Sequence, residues 1–402
     1  MLVPILRDRI GHGLVRRHLA SPLPAELALV AACCRWPPSP AREEAVREAA
    51  DRVRDWDALL RTTRRHRVDG LVHDGLRQAG LEPPSAVSSE LAAAAARIAR
   101  ANLEFAAESA KLDRLLGDAD VPFLFLKGVT LNRLSYDTLA LKQAIDIDMV
   151  VDLACYEAAI AAVEQAGYCC VQPRDDASHA EILAWVQQNK HSIWAKGRIR
   201  LELHTAFVDS AAMLGGVTIH SPRQEVEVAS GIVLPTLARD ELFAYLAVHG
   251  ATHGWARIKW LADLAAFVAR DGDAAEALYR RSIALGAGRS GGQALLLAHE
   301  LLGLPVPEPL LAELRGDKAI AYLSRVAVDV MIAAGERELD DMALGTVAIH
   351  LSHLRLKRGF AFKLHEVRRK LQSGEHGGSA FAILLAGPRW LARRMRRAAT
   401  QR

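Results

Sequence analysis

The sequence predicts an α+β fold: a small mixed β-sheet core flanked by an N-terminal and a C-terminal helical region. Three observations carry this. Two short β-like runs, Val121 to Leu126 and Ile145 to Val151, enclose a Lys127-Gly128 turn and a helical stretch. A second strand pair, His191 to Trp194 and Ile199 to Thr205, flanks Lys196-Gly197, a hairpin signal. Everything before and after these segments has helical spacing or an Ala-rich composition. The division expected is residues 1–117 helical, 118–235 the α/β core, and 236–402 helical with a basic tail.

In the first region, Leu27 to Arg35 is apolar and stops at Trp36-Pro-Pro-Ser-Pro40, a strong breaker. Ala41 to Arg64 reads as one charged amphipathic helix, with Val46, Val53, Trp56, Leu59 and Leu60 near helical spacing. The basic cluster of Arg64 to Val72 suits phosphate contact or a solvated helix face. Ser88 to Leu116 is a long Ala-rich helix, and its Ser-Ser-Glu opening is consistent with an N-cap.

In the core, the alternation of strand side chains puts Asp146 and Asp148 on one face and Ile145, Ile147 and Met149 on the other. Leu153 to Ala166 is a helix closed by Gly167, Tyr168 to Val171 is strand-like, and residues 178–189 form a short helix. On the strand after the hairpin turn, Arg200, Glu202 and His204 share one face and Ile199, Leu201 and Leu203 the other. The hairpin would bring Glu202 into the sheet that holds the two aspartates. Neighbouring carboxylates repel, a cost usually offset by a bound cation, and their oxygens suit a hard ion such as Mg²⁺. A solvated strand edge is the plainer account of the same residues.

In the last region, Arg239 to His253 is periodic, with His249 and His253 four apart. That spacing can bind zinc, but Gly250 follows where a protease base would stand and no third ligand is near, so the pair is read as structural or nucleotide-proximal. His249 to Asp263 admits two readings. One is a nucleotide-serving segment, with Trp255 for stacking and Arg257 and Lys259 for phosphate. The other is a helix junction packed by Trp255 and Trp260, with Asp263 pairing to a base. Helices from Asp273 to Gly303 should break at Gly286-Ala-Gly288 and again at Gly291-Gly292. No strand precedes this glycine-rich segment and no Gly-Lys-Ser/Thr ends it, so it is a helix–helix turn and not a phosphate loop. A linker at residues 304–309 leads to further helices, interrupted at Ser373 to Gly378.

The Lys-Gly turn, the helix and the Asp-x-Asp strand together resemble the polymerase-β-like nucleotidyltransferase superfamily. Within it they resemble the bacterial uncharacterised nucleotidyltransferases, which carry Lys-Gly where most of the superfamily has Gly-Ser. The resemblance covers roughly residues 50 to 270. Two positions depart from the family pattern: Lys142 stands where Arg is usual, and Glu202 where Asp is usual, followed by the matching His204. Lys keeps the charge without the bidentate fork.

The resemblance implies transfer of a nucleoside monophosphate from an NTP to a hydroxyl-bearing acceptor (small molecule, peptide or protein), with release of pyrophosphate. It implies two Mg²⁺ ions about 4 Å apart, held by Asp146, Asp148 and Glu202, which are also the catalytic residues. Nucleotide contacts fall to Lys127, Gly128, Lys142, His204 and Lys259. Two alternatives stay open: tRNA or another nucleic acid as acceptor, or a non-catalytic nucleotide-binding or interaction module. Replacing either aspartate by Asn should spare the fold and relieve repulsion.

Composition narrows the remaining classes. Apolar residues make 51% and charged residues 24%, as in a globular domain, and a net charge of +4 is too mild to imply nucleic-acid binding. Five cysteines, four of them in adjacent pairs, make a poor disulfide framework and point to reduced thiols in the cytoplasm. No signal-peptide core and no transmembrane run is expected. Residues 389–402 hold six arginines and no acid, so the tail is expected either to bind anionic surfaces weakly or to be solvated.

Overall fold

A computed structural model of the protein describes residues 23–272, 274–334 and 347–372. The basic tail therefore lies outside the described residues, as does the expected interruption at 373–378. The α+β architecture is as the sequence predicts. Among the described residues five N-terminal helices come first: α1 (Ala25–Cys33), α2 (Pro40–Ala50), α3 (Trp56–His66), α4 (Asp69–Gln78) and the long α5 (Ser85–Asp118). The core follows as β1 (Phe123–Phe125), α6 (Val129–Tyr136), β2 (Ile147–Val151), α7 (Tyr156–Gln165), β3 (Cys169–Gln172), α8 (His179–Gln188), β4 (His191–Lys196) and β5 (Ile199–His204). A hairpin, β6 (Arg223–Ala229) and β7 (Ile232–Leu237), precedes the last helices. These are α9 (Arg239–Thr252), α10 (Ile258–Ala269), α11 (Ala275–Ala284), α12 (Gly288–Leu302), α13 (Glu308–Gly316), α14 (Lys318–Ala334), α15 (Val347–His353) and α16 (Phe360–Gln372).

The sheet has the order β1-β2-β5-β4-β3. Only β2 and β5 run parallel; the other three pairs are antiparallel, which makes the sheet mixed. Gly197 turns the β4–β5 hairpin in the left-handed region, as its Lys-Gly signal predicts. Alternation then decides what each face meets. Phe125, Ile147, Met149, Val151, Leu201 and Leu203 pack with α5 and α7 in one core. Leu124, Leu126 and Val150 point the other way, into a core that also takes in residues of the N-terminal helices and of α9, α10, α12 and α14. The two helical stretches, far apart in sequence, thus share one hydrophobic core over the second face of the sheet. Among the described residues no helix is long and apolar enough to cross a membrane.

Several expectations need correction. Residues 41–64 are two helices, because the Asp55 side chain accepts from the Ala58 N–H at 2.8 Å and restarts the helix at Trp56. The long helix begins at Ser85, directly after Pro84, so Ser88 lies inside it and no side chain caps it. Gly291 and Gly292 do not break α12. A Cβ at Gly291 would strike Ser282 of α11, and one at Gly292 would strike Ile320 of α14, so these glycines permit close helix packing. The β6–β7 hairpin was not anticipated. Its first strand alternates exposed Arg223, Glu225 and Glu227 with buried Val226 and Val228, but Pro235 lies inside the second strand, opposite Glu225, and a proline argues against a strand in a sequence.

Candidate active site

Asp146 stands one residue before β2, and Asp148 lies on it. In the parallel register Asp148 sits opposite Glu202 of β5. Because Ile147 and Met149, and likewise Leu201 and Leu203, are committed to the sheet's buried face, the three carboxylates must emerge on the other. Each offers an oxygen, and all three oxygens lie within 4.8 Å of one another. The trio read from the sequence is therefore assembled by the fold.

The approach to β2 is fixed by two asparagines. Asn102, in the middle of α5, donates to the carbonyl oxygens of Leu139 and Lys142 and accepts from the Ala144 N–H at 2.8 Å. Asn132 of α6 donates to the same Lys142 carbonyl at 2.7 Å. Both side chains are fully buried. They hold the segment that carries Lys142 and Asp146. Neither was singled out in the sequence, although a polar residue at an inward position of an Ala-rich helix is a readable signal. Gly128 precedes α6 at φ +72°, a conformation that a side chain would strain.

Charge in the site is lopsided. Lys127 Nζ lies 3.0 Å from Asp148 Oδ2, and His204 Nε2 lies 3.3 Å from Asp148 Oδ1 and 3.5 Å from Glu202 Oε2. Burial opposes ionisation of Asp148, but the Lys127 ammonium and the His204 hydrogen bond hold it well below the usual carboxylate range. Burial likewise opposes ionisation of Glu202, and the bond from His204 lowers it on balance. Burial would lower Lys127, but its two aspartates raise it further. Asp146 feels Lys127 and Lys259 as nearby charges, and their pull does not offset what opposes its ionisation. Burial and then the charge of Asp148 push it up to about 6.

The carboxylates open into a cavity of about 200 Å³ between the sheet and helices α9 and α10. Lys127, Gly128, Lys142 and Lys259 all line it, as does Arg67 at the end of α3. Lys142 reaches it with its ammonium 2.8 Å from Asp263, both side chains buried. The Tyr136 hydroxyl donates to the other Asp263 oxygen at 3.0 Å. Burial, then repulsion from Lys142 and Arg67, bring Lys259 down to about 7. His204 is not among the lining residues; it is packed behind the carboxylates. The basic cluster of the third helix divides: Arg64 pairs with Glu90 at 2.9 Å, Arg65 is buried, and Arg67 faces the cavity.

The segment from His249 to Asp263 combines its two readings. Trp255 is fully buried with its ring against Gly250, so it is unavailable for stacking. Trp260 reaches the cavity instead, stacked on His253 with ring centroids 4.9 Å apart and edge-on to His249 at 5.8 Å. The turn between α9 and α10 thus sends one indole into the core, and the first turn of α10 brings the other to the cavity.

The donor set suits a hard dication: three carboxylates, oxygen only, with one nearby ammonium. The sequence profile of a family described as uncharacterised nucleotidyltransferase matches residues 52–303, a span that contains every residue lining the cavity. No curated protein and no solved structure matches the chain.

Proposed function

We propose that this chain, which belongs to the uncharacterised nucleotidyltransferase family, moves a nucleoside monophosphate from an NTP to a hydroxyl-bearing acceptor and releases pyrophosphate. The single observation that carries this reading is the clustering of Asp146, Asp148 and Glu202 at the mouth of a cavity lined by cations. Those three residues would hold Mg²⁺. Bound there, Mg²⁺ stabilises charge on the attacking and leaving oxygens and acidifies the acceptor hydroxyl.

The chain's own groups do the rest. The Gly128 turn lets backbone approach the triphosphate, and the amides opening α6 favour an anion at that end. Lys127 and Lys259 take up negative charge on the pyrophosphate side. Lys142, tied to Asp263, holds its place through that pair and adds positive field. Trp260 and His253 give the cavity an aromatic wall against which a base can lie.

The test is incubation of the purified chain with each of the four NTPs, labelled on the α-phosphate, with Mg²⁺ and cell extract. Mg²⁺-dependent pyrophosphate release, with label appearing on one acceptor, is the expected result. Label appearing on RNA would identify a nucleic-acid acceptor. If no NTP yields pyrophosphate and none shifts the melting temperature, the chain is not a nucleotidyltransferase.

A further inference from the structure

Behind the carboxylate trio lies a second cluster with different chemistry. His191 and His204 are directly opposite one another on the antiparallel pair β4 and β5. Glu202 lies two residues from His204 on the same face, so it is the diagonal neighbour of His191. The two imidazoles tilt toward each other at 42° with centroids 4.9 Å apart. One ring nitrogen from each and one Glu202 oxygen all lie within 4.8 Å of one another.

A further observation points to a ligand. Nδ1 of His191 and Nδ1 of His204 are both buried without a hydrogen-bond partner, and His204 as a whole is only 4% exposed. A buried imidazole nitrogen left unpaired is costly, and two side by side are unusual. His204 Nε2 is already engaged by Asp148 and Glu202, which leaves Nδ1 as the nitrogen of that ring without a partner. Two imidazoles and a carboxylate are a set that zinc accepts, and imidazole favours borderline transition ions over Mg²⁺.

We propose that His191, Glu202 and His204 form a second cation site, selective for a divalent transition ion such as Zn²⁺ and separate from the oxygen-only site of Asp146 and Asp148. Glu202 is the residue common to both. The site is reached from solvent beside His191 and Glu202, which are half-buried. An ion there would also fix Glu202, now oriented only by its contact with His204.

The probe is Co²⁺, whose visible absorption reports nitrogen ligation, titrated into the full chain in excess Mg²⁺. The expected result is one equivalent bound with a nitrogen-ligated spectrum. His191→Ala should weaken it by at least about tenfold, because loss of even an outer-shell partner costs that much. Asp146→Asn should leave it intact. Wild-type protein that binds no Co²⁺ in excess Mg²⁺ overturns the proposal, whatever the variants do. So does a titration unchanged in folded His191→Ala and lost in Asp146→Asn, which would place the ion on the aspartates and leave His204 as their orienting partner. Should His191→Ala fail to fold, the wild-type spectrum alone decides. Pyrophosphate release without nitrogen-ligated Co²⁺ would refute this site only; the reverse would refute nucleotidyl transfer only.

Discussion

Lys127 Nζ rests 3.0 Å from Asp148 Oδ2, with the carboxylate 1% exposed. The protein thus places its own cation on one of the carboxylates proposed to hold Mg²⁺. Breaking a buried pair leaves an uncompensated charge, at a cost of about 3–5 kcal/mol. Lys127→Met should therefore destabilise the fold by about 3 kcal/mol without metal. Mg²⁺ should restore part of that loss, since it supplies positive charge to the same oxygens. Urea melts with and without Mg²⁺ measure both. An equal loss in the two conditions would mean that no metal reaches Asp148.

The Lys142–Asp263 pair is more deeply buried, with side chains 7% and 3% exposed. Lys142→Met should cost about 3–5 kcal/mol. Combining it with Asp263→Asn should recover at least half, because the amide oxygen can still accept from Tyr136 and no charge is stranded. The comparison separates structure from binding: if the stabilised double variant still binds NTP poorly, Lys142 also acts on the nucleotide.

Lys259 supplies a pH-dependent prediction. At about 7 in the free protein, its amine is half protonated near neutrality. A triphosphate beside it favours the ammonium and raises its pKa, so the complex holds more protons than the free chain. NTP affinity should then be highest below pH 7 and fall as pH rises above it, by up to tenfold per unit. Calorimetry in buffers of different ionisation enthalpy should show proton uptake on binding. Lys259→Met should abolish the uptake; uptake that persists would assign it elsewhere.

The reach of the sequence can be judged from these same residues. Period-2 alternation was enough to put Asp148 and Glu202 on one face, because apolar neighbours leave a strand no choice, whereas Asp146 stands just before β2 and Ile145, expected on the opposite face, lines the cavity beside it. The hairpin that delivers Glu202 was legible from Lys196-Gly197 alone. The partner of Lys142 was only half legible. Asp263 could be read as pairing to a base, but the two are far apart in sequence and their meeting depends on how α10 packs against α6. The same is true of Asn102, whose role depends on the path of a loop. Trp255 and Trp260 could not be told apart because their fates are decided by the turn between α9 and α10. There Trp255 adopts φ +51° and folds back on Gly250. Long-range packing and left-handed turn geometry leave little periodic trace.

The two aspartates, alike in the sequence, should respond oppositely to the same substitution. Asp146 is pushed up to about 6, first by burial and then by Asp148, so its charge opposes folding. The penalty is absent below about pH 4, where both states are protonated, grows as pH rises to 6, and is complete above it. Asp146→Asn should therefore stabilise the metal-free fold at pH 7, by up to about 3 kcal/mol, and the gain should vanish toward pH 4. Asp148 is held well below its usual range despite burial, by Lys127 and His204, so its charge favours folding. Asp148→Asn strands Lys127 and should destabilise at pH 7, which revises the expectation that either substitution relieves repulsion harmlessly. Both should reduce transfer by at least about 10³-fold, because several kcal/mol of charge stabilisation go with the metal. Glu202→Gln should damage the rate more than NTP binding, whereas Glu202→Asp should retain activity. Pyrophosphate release and pH-dependent melting, run in parallel on the four variants, decide the matter. Full transfer by Asp146→Asn and Asp148→Asn would falsify the site, and equal stability shifts for the two would refute the electrostatic asymmetry even if transfer were lost.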